Sequence, residues 1–415
     1  MRKRVLRGLA LVAAFALGWA TSPAMAQNTI RLGYQELLSG PFANVGDQGL
    51  KTIQFVVDGI NAKGGVMGKK LEIVAFDHKG QPSEALTNLQ KMVDEGIQVM
   101  LSCGPSNVVA ALLAGVDKHN ERNVNQRIFF LNCGALAPEL TNEQCSFWQV
   151  RTSMHAGQQA EIMIRSMPKT VKAVYLINQD YLFGQSAQRD LKKYLAQLRP
   201  DVKIVGEELI PLGKIKDFSS YIAKIKATGA DGIVTGNWGA DLSLLVKAGM
   251  DAGLPVNYYT MLGHLAGSPT AIGPGGDGRV FSVLAMHENV GVETKNAELE
   301  AWVLEFRKKF DFDFVFGDRR TGVELLAAAI TKAGGTDPVK LATAFEGLTM
   351  KDSAGNEVTI RKDDHQITMT YYAAVFTRGV KYDSEKTGLG WRTQTVVRPG
   401  DLDQSHTCKM KRPTG

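Results

Sequence analysis

The chain has 415 residues, of which 44% are hydrophobic and 22% charged; this is a globular composition and excludes a disordered chain. The formal net charge of +6 includes four basic residues in the first 26 positions, and without them 44 basic residues stand against 42 acidic ones. This near balance, with no basic tail and no interleaved basic and aromatic residues, excludes a surface built for nucleic acid. The chain beyond position 26 is too long for one core, so we expect two domains of roughly 100–200 residues each.

Residues 1–26 have the layout of a secretory signal peptide. A basic start is followed by an apolar run over 9–20 and by the small residues of a cleavage site at 24–26. The apolar run is shorter than the about 20 residues that a membrane-spanning helix needs. No cysteine follows the cleavage site, so we expect no lipid anchor. We therefore expect the mature chain to begin near Gln27 and to work in the periplasm.

Up to about residue 150, short apolar strands alternate with amphipathic helices. In the first helix, Ile53, Val56 and Ile60 recur at the three- and four-residue spacing of one helix face. Strands that alternate with helices of about 10–15 residues form parallel sheets with right-handed crossovers. The predicted strands of this run cover 29–33, 70–77, 99–102 and 128–132, and its predicted helices cover 49–62, 83–95 and 107–119.

The same alternation restarts after a break near 146–151, which predicts two doubly wound parallel lobes. The strands of the second run are expected at 173–178, 203–208, 232–236 and 255–260, and its helices at 184–197, 218–227 and 240–252. From about residue 279 the pattern becomes irregular, which indicates that the chain returns to the first lobe and then to the second. There we expect one strand, helices over 297–310 and 318–334, and strands over 357–361 and 367–377.

Four cysteines, Cys103, Cys133, Cys145 and Cys408, favour disulfides in an oxidising compartment. Their spacing matches no zinc motif, and the sequence does not choose among the three possible pairings. We favour Cys145–Cys408, which would fix the C-terminal tail near the first crossing between the lobes. Cys103 and Cys133 follow adjacent strands and would form either a second bridge or two buried thiols.

Four short segments, in this order, resemble the branched-chain amino-acid-binding family, the periplasmic solute receptors of ABC importers. The segments are LSGPFA at 38–43, DGINAKGGV at 58–66, APELT at 137–141 and EVTIRKDDHQ at 357–366. The resemblance covers the whole mature chain and is closest to receptors for aromatic acids. It implies the type I periplasmic binding protein fold, an α/β architecture in which a ligand is clamped between two hinged lobes. It also implies a monomer that delivers its ligand to an inner-membrane permease.

On this resemblance, three strands cross between the lobes, near 149–151, 280–286 and 351–361. We expect the signal peptide at 1–26, lobe one at 27–149 and about 285–352, lobe two at 150–284 and about 353–400, and a tail at 401–415.

Two turns of lobe one are expected to face the ligand. Ser106 and Asn107 stand near the start of a helix, and the family holds the ligand carboxylate at this turn. A plain helix cap is the alternative. The next turn contains Gly134, Ala135 and Leu136, and Leu136 stands where amino-acid-binding members have a threonine that helps to hold the ligand's ammonium group. Leucine accepts no hydrogen bond there, which argues against an α-amino acid.

The sequence of lobe two also argues against an α-amino acid as the ligand. The family's acidic partner of the ammonium group aligns near His264, yet no acidic residue occurs between 251 and 277. His264 could donate a hydrogen bond or carry positive charge, or it could be a surface histidine.

Aromatic residues are expected to form the walls of the ligand site. Tyr181 and Phe183 follow the first strand of lobe two. Asn237 and Trp238 lie between two glycines. We expect Trp238 to be too exposed there for a core residue and suited to stacking on an aromatic ligand. The alternative is that Trp238 packs on the other lobe. Phe42 would form the opposite wall.

We therefore predict a binding protein for a small organic carboxylate, most suitably aromatic, with no cofactor and no metal. Branched-chain or other amino acids, or amides, are the alternative ligands in the same fold. An exported α/β enzyme is the alternative of another class. Against it, the seven histidines have no metal spacing, and neither G-x-S-x-G nor H-E-x-x-H occurs.

Overall fold

A computed structural model describes residues 29–413, so the predicted signal peptide lies outside the described residues. The first lobe is built on a five-stranded parallel sheet of order β2-β1-β3-β4-β5. Its strands are β1 Thr29–Glu36, β2 Lys70–Asp77, β3 Val99–Ser102, β4 Phe129–Asn132 and β5 Gln149–Arg151, and its first helices are α1 Ala43–Ala62, α2 Pro82–Asp94 and α3 Ser106–Arg122.

The second lobe begins with five parallel strands of order β10-β9-β8-β6-β7. These are β6 Ala173–Gln179, β7 Lys203–Ile210, β8 Gly232–Thr235, β9 Asn257–Thr260 and β10 Val280–Leu284. The helices of this segment are α4 Ala156–Ser166, α5 Leu182–Leu198, α6 Ser219–Thr228, α7 Gly239–Asp251 and α8 Ser268–Ile272.

The last third of the chain contributes to both lobes. Its helices are α9 Val290–Glu293, α10 Ala297–Phe310, α11 Gly317–Ala333 and α12 Pro338–Phe345, and its strands are β11 Thr349–Lys351, β12 Glu357–Ile360, β13 Ile367–Thr368, β14 Tyr371–Thr377 and β15 Gly390–Val397. Helix α11 packs on α1 and α12 on β4, which returns the chain to lobe one. β14 pairs antiparallel with β10 and β15 antiparallel with β14, so the second sheet is mixed rather than wholly parallel as predicted.

Several elements of the structure were absent from the sequence prediction, among them α4, α12, β15 and the short helices α8 and α9. Residues 156–164 of α4 are all buried, including the polar Gln158, Gln159 and Glu161. Helix α12 has only eight residues. Strand β15 contains a bulge opposite Ala373, which disturbs the regular alternation of side chains between the two faces of the sheet.

Two segments predicted to cross or to lie near a crossing, 149–151 and 365–366, meet at Arg151. Its guanidinium donates to Gln366 Oε1 at 2.5 Å and to the Ala137 carbonyl at 2.6 Å, and its backbone N–H donates to the His365 carbonyl at 2.9 Å. Burial lowers the pKa of Arg151 to about 9. The third crossing thus passes Gln366, later than the predicted 351–361, because 349–368 forms a separate antiparallel sheet. The exact lobe boundaries stay a prediction.

The favoured disulfide Cys145–Cys408 is present, and Cys103 and Cys133 form a second bridge rather than two buried thiols. Cys103–Cys133 joins the turns after β3 and β4 with Cα atoms 4.5 Å apart, and Cys145–Cys408 has a Cα separation of 5.6 Å. The tail that carries Cys408 spans both lobes, since the backbone N–H of Asp403 donates to Glu161 of α4 and that of Thr407 donates to Asn142 of lobe one. None of the helices within residues 29–413 is long and apolar enough to cross a membrane.

Candidate functional site

A cavity lies between the lobes at the carboxyl ends of the parallel strands, where open α/β sheets bind their ligands. The loops after β1, β3 and β4 line it from lobe one, and the loops after β6, β8 and β9 line it from lobe two. The space open to the centres of water-sized spheres is about 80 Å³. One water needs roughly 10–15 Å³ by this measure, so the cavity is large enough for a small molecule.

The structure brings most of the predicted ligand contacts together around this cavity. The predicted residues that line it are Phe42, Ser106, Gly134, Leu136, Tyr181, Phe183, Trp238 and His264. Asn107, Ala135 and Asn237 are outside the lining. The Ala135 backbone N–H donates to Asn132 Oδ1 at 2.9 Å, and the amide group of the buried Asn237 has no partner. The role of these three residues as ligand contacts stays a prediction.

Ser106 is the first residue of α3 and faces the cavity from lobe one. Its Oγ accepts a hydrogen bond from the Ala137 backbone N–H at 3.1 Å, so its hydroxyl hydrogen can still be donated to a ligand. The start of an α-helix adds free backbone N–H groups and a partial positive charge. This corner of the cavity is therefore suited to an anion.

Aromatic side chains from both lobes form one wall. The rings of Phe42 and Trp238 lie with centroids 4.4 Å apart and planes 33° apart. Trp238 Nε1 donates to the Tyr181 hydroxyl at 2.8 Å, which fixes the indole in place. Trp238 is only 7% exposed, so the expectation that its flanking glycines leave it exposed was wrong. Trp238 lines the cavity and packs on Phe42 of the other lobe, and its stacking on an aromatic ligand stays a prediction.

His264 reaches the cavity from the loop after β9 and is 7% exposed, which excludes the surface histidine considered above. Burial lowers the pKa of His264 to about 3, so the imidazole is neutral near pH 7. Its Nδ1 has no hydrogen-bond partner within the chain. His264 is therefore a neutral hydrogen-bonding group here and does not supply a positive charge.

Sequence reasoning missed an ion pair in the cavity lining. Arg319, near the start of α11, places Nη1 3.3 Å from Glu36 Oε2, and the Tyr34 hydroxyl donates to the same oxygen at 2.8 Å. The Arg319 Nε atom is buried and has no partner, and its guanidinium lies 3.7 Å from the centre of the Phe316 ring. The two charges are 283 positions apart, so no local pattern connected them.

A second missed group is Asp318, the neighbour of Arg319. Its Oδ1 accepts the Arg319 backbone N–H at 2.9 Å. Burial raises the pKa of Asp318 to about 6, and the neighbouring Arg319 opposes this rise. The sequence has no acidic residue near His264 of lobe two, whereas the structure brings Glu36 and Asp318 to the cavity from lobe one.

Gln159 of α4 adds a further polar group that the sequence did not suggest. It is 1% exposed, its Nε2 donates to the Met261 carbonyl at 3.2 Å, and its Oε1 has no partner. Within residues 29–413, no three histidine, cysteine or acidic side chains are arranged to hold a metal ion. The polar chemistry of the cavity therefore consists of hydrogen bonds and a few charges.

Comparison with known sequences places these features in a family. The family model described as periplasmic binding protein matches residues 29–381. The Leu/Ile/Val-binding protein homolog 4 of Brucella abortus is 28% identical over 415 residues, with 97% of each chain covered. The leucine-, isoleucine-, valine-, threonine- and alanine-binding protein of Pseudomonas aeruginosa is 26% identical, with 86% of this chain and 92% of that protein covered.

Solved structures agree with this placement. The leucine-, isoleucine-, valine-, threonine- and alanine-binding protein of Brucella ovis, in its closed conformation, has a TM-score of 0.83 at 26% identity and covers 93% of this chain and 100% of its own. A solute-binding protein of an ABC transporter from R. palustris, in complex with benzoate, has a TM-score of 0.78 at 20% identity, with 92% and 99% covered. The second likeness concerns the fold alone.

Proposed function

The chain belongs to the periplasmic binding protein family, and on that premise we propose that it is the solute receptor of an ABC importer. We propose further that it binds a small organic carboxylate, preferably aromatic, between two closing lobes. The observation that carries this proposal is the cavity between the lobes, with an anion-binding corner at Ser106 and an aromatic wall at Phe42 and Trp238.

The carboxylate is supported by hydrogen-bond donors in the cavity lining, although the Nη1 atom of Arg319 also pairs with Glu36. The Ser106 hydroxyl and the start of α3 offer hydrogen bonds at one corner, and Arg319 contributes a guanidinium whose Nε is unpartnered. Charge-assisted hydrogen bonds of this kind are about twice as strong as neutral ones. The aromatic character is supported by the flat side chains of Phe42, Trp238 and Phe183, since aromatic rings favour offset or edge-to-face contacts with one another.

An amino acid is the second candidate ligand, and one observation favours it. Asp318 supplies an acidic group in the cavity, which an ammonium group would need. The relatives named above also carry amino acids in their names. Leu136 in place of a threonine still argues against this candidate. We propose no catalytic role, because the relatives matched along nearly the whole chain are named as binding proteins.

Isothermal calorimetry on the mature chain tests the ligand class. The ligands are benzoate, cinnamate, phenylalanine and leucine, and we expect heat of binding from the two acids that lack an α-ammonium group. Ser106→Ala should weaken acid binding, whereas Ser405→Ala, in the exposed tail, should leave the affinity unchanged. Tight binding of leucine with no response to the aromatic acids would overturn the proposal in favour of the second candidate.

A further inference from the structure

Three carboxyl groups would share this cavity when an organic acid is bound, and only one cation stands near them. Two belong to the protein, Glu36 and Asp318, and the third to the ligand; Arg319 is the cation. Like charges held together in a site of low dielectric cannot all stay ionised, and one group takes up a proton instead. The structure indicates which group this is.

The Glu36 carboxylate has three hydrogen-bonding or charged partners. The Arg319 guanidinium lies at 3.3 Å, the Tyr34 hydroxyl donates at 2.8 Å, and the Leu37 backbone N–H donates at 2.9 Å. Hydrogen bonds to a carboxylate favour its charged form. A proton on Glu36 would weaken the ion pair with Arg319 and leave that guanidinium buried without a full counter-charge.

Asp318 has much weaker support. Its only hydrogen bond from another residue is the 2.9 Å bond from the Arg319 backbone N–H, and the Arg319 guanidinium pairs with Glu36 instead. Asp318 is surrounded by protein, yet part of its surface stays accessible, and it lines the cavity.

The other titratable groups around Asp318 do not supply a charge near neutral pH. Tyr371 of β14 has a buried hydroxyl without a partner, and burial raises its pKa far above the ordinary value of 10. Tyr34 of β1 is likewise held neutral because burial and Glu36 raise its pKa. His264 is neutral, as described above. Arg319 is the neighbour whose charge opposes the effect of burial on Asp318, and Arg151 and Arg361 act on Tyr371, whose pKa their charges lower.

We propose that Asp318 sets the charge class of the ligand: it takes up a proton when a carboxylate anion enters the cavity, and the protonated carboxyl group donates a hydrogen bond there. This inference rests on the proposed function. Without ligand, burial raises the pKa of Asp318 to about 6. Little free energy is therefore needed to protonate this group near neutral pH, as the proposal requires. An ionised Asp318 would instead suit a ligand that carries an ammonium group.

The proposal predicts a defined pH dependence. The proton is already present below pH 6, so the affinity for an acid should be constant there. Above pH 6 the proton must be taken from solution, and the dissociation constant should rise by up to about tenfold per pH unit. A zwitterionic amino acid that pairs with ionised Asp318 would have the opposite dependence and would release a proton on binding.

The test is calorimetry of the mature chain with benzoate, cinnamate and phenylacetate between pH 5.5 and 8. At pH 7.5, two buffers of different ionisation enthalpy count the protons, and we expect an uptake close to one per ligand. Asp318→Asn should remove the proton uptake and the pH dependence. Asp117→Asn is the matched control, because burial also raises the pKa of Asp117 although it lies outside the cavity; it should change neither.

The outcomes separate the two proposals. Acid binding without proton uptake and without pH dependence in the unmodified chain would overturn the role of Asp318 and leave the proposed function standing. Binding of an acid with proton release would also overturn it. Failure of every acid at every pH would overturn the proposed function and this inference with it. The proton count on the unmodified chain decides the matter even if Asp318→Asn does not fold.

Discussion

Phe42 of the first lobe and Trp238 of the second face each other across the cleft with ring centroids 4.4 Å apart. Polar contacts between the lobes surround this pair: Asn44 Nδ2 donates to the Ala266 carbonyl at 2.7 Å, and the Ala266 backbone N–H donates to Gln48 Oε1 at 3.2 Å. The two lobes are therefore in contact around the cavity. A ligand held beneath these rings would be covered by both of them on that side, so Phe42 does not form the opposite wall that the sequence predicted.

Trp238→Ala should weaken ligand binding by about 1–3 kcal/mol, roughly 5- to 150-fold in the dissociation constant, because the ligand loses apolar contact area and an aromatic wall. Calorimetry with the preferred acid measures this effect. Trp148→Ala is the matched control, since Trp148 is also 7% exposed but does not line the cavity. Unchanged affinity in the Trp238 variant would contradict a contact between this side chain and the ligand. A collapse of the variant's melting temperature would instead indicate a structural role for Trp238.

Ligand should shift the protein towards the arrangement in which the lobes touch, because it contacts both lobes only there. Small-angle scattering of the mature chain should therefore give a smaller radius of gyration with saturating acid than without it. Benzyl alcohol, which has the ring but no carboxylate, serves as the control and should leave the profile unchanged. Identical profiles with and without bound acid would mean that the cleft does not close.

Removal of each disulfide should reduce stability by about 2–5 kcal/mol, more for Cys145–Cys408, whose loop of 263 positions is far longer than the 30 of Cys103–Cys133. The two double serine variants should differ in binding. Cys103 and Cys133 line the cavity, so their replacement should weaken affinity as well. The Cys145 and Cys408 variant should keep its affinity within about twofold. Chemical denaturation and calorimetry measure both effects, and equal affinity loss in both variants would contradict this expectation.

His287 should contribute to loss of stability in acid. Burial lowers its pKa to about 3 in the folded chain, whereas an unfolded histidine titrates near 6.5, so the unfolded state gains protons first as the pH falls. This contribution is present above pH 6.5 and decreases by about 2 kcal/mol on reaching pH 5. Glu288, whose pKa burial raises to about 7, acts in the opposite sense as the pH rises.

Urea unfolding at pH 5 and 7.5 measures the effect of His287. The difference in unfolding free energy between the two pH values should be smaller in His287→Asn than in the unmodified chain. His406→Asn replaces an exposed histidine and should leave that difference unchanged. The same difference in all three proteins would show that His287 does not titrate as stated.

Much of the fold could be predicted because it is encoded locally. The strands over 70–77 and 99–102 have the predicted bounds, since their apolar residues and the turns beside them are contiguous in the chain. The predicted turns after β3, β8 and β9 brought Ser106, Trp238 and His264 to one cavity, because the carboxyl ends of parallel strands share one edge of a sheet. Helix α4 was missed although Gln158, Glu161 and Arg165 recur at the spacing of one helix face.

The sequence by itself determined the two alternating runs of strands and helices, the even set of cysteines and the turns that face the cleft, because each depends on residues close together in the chain. Only the tertiary structure decided the charge of the site. Arg319 meets Glu36 after the chain has passed through lobe two and returned, and Trp238 meets Phe42 across the cleft. Contacts between residues so far apart depend on how the lobes are placed, and burial then decides which of those groups stay charged.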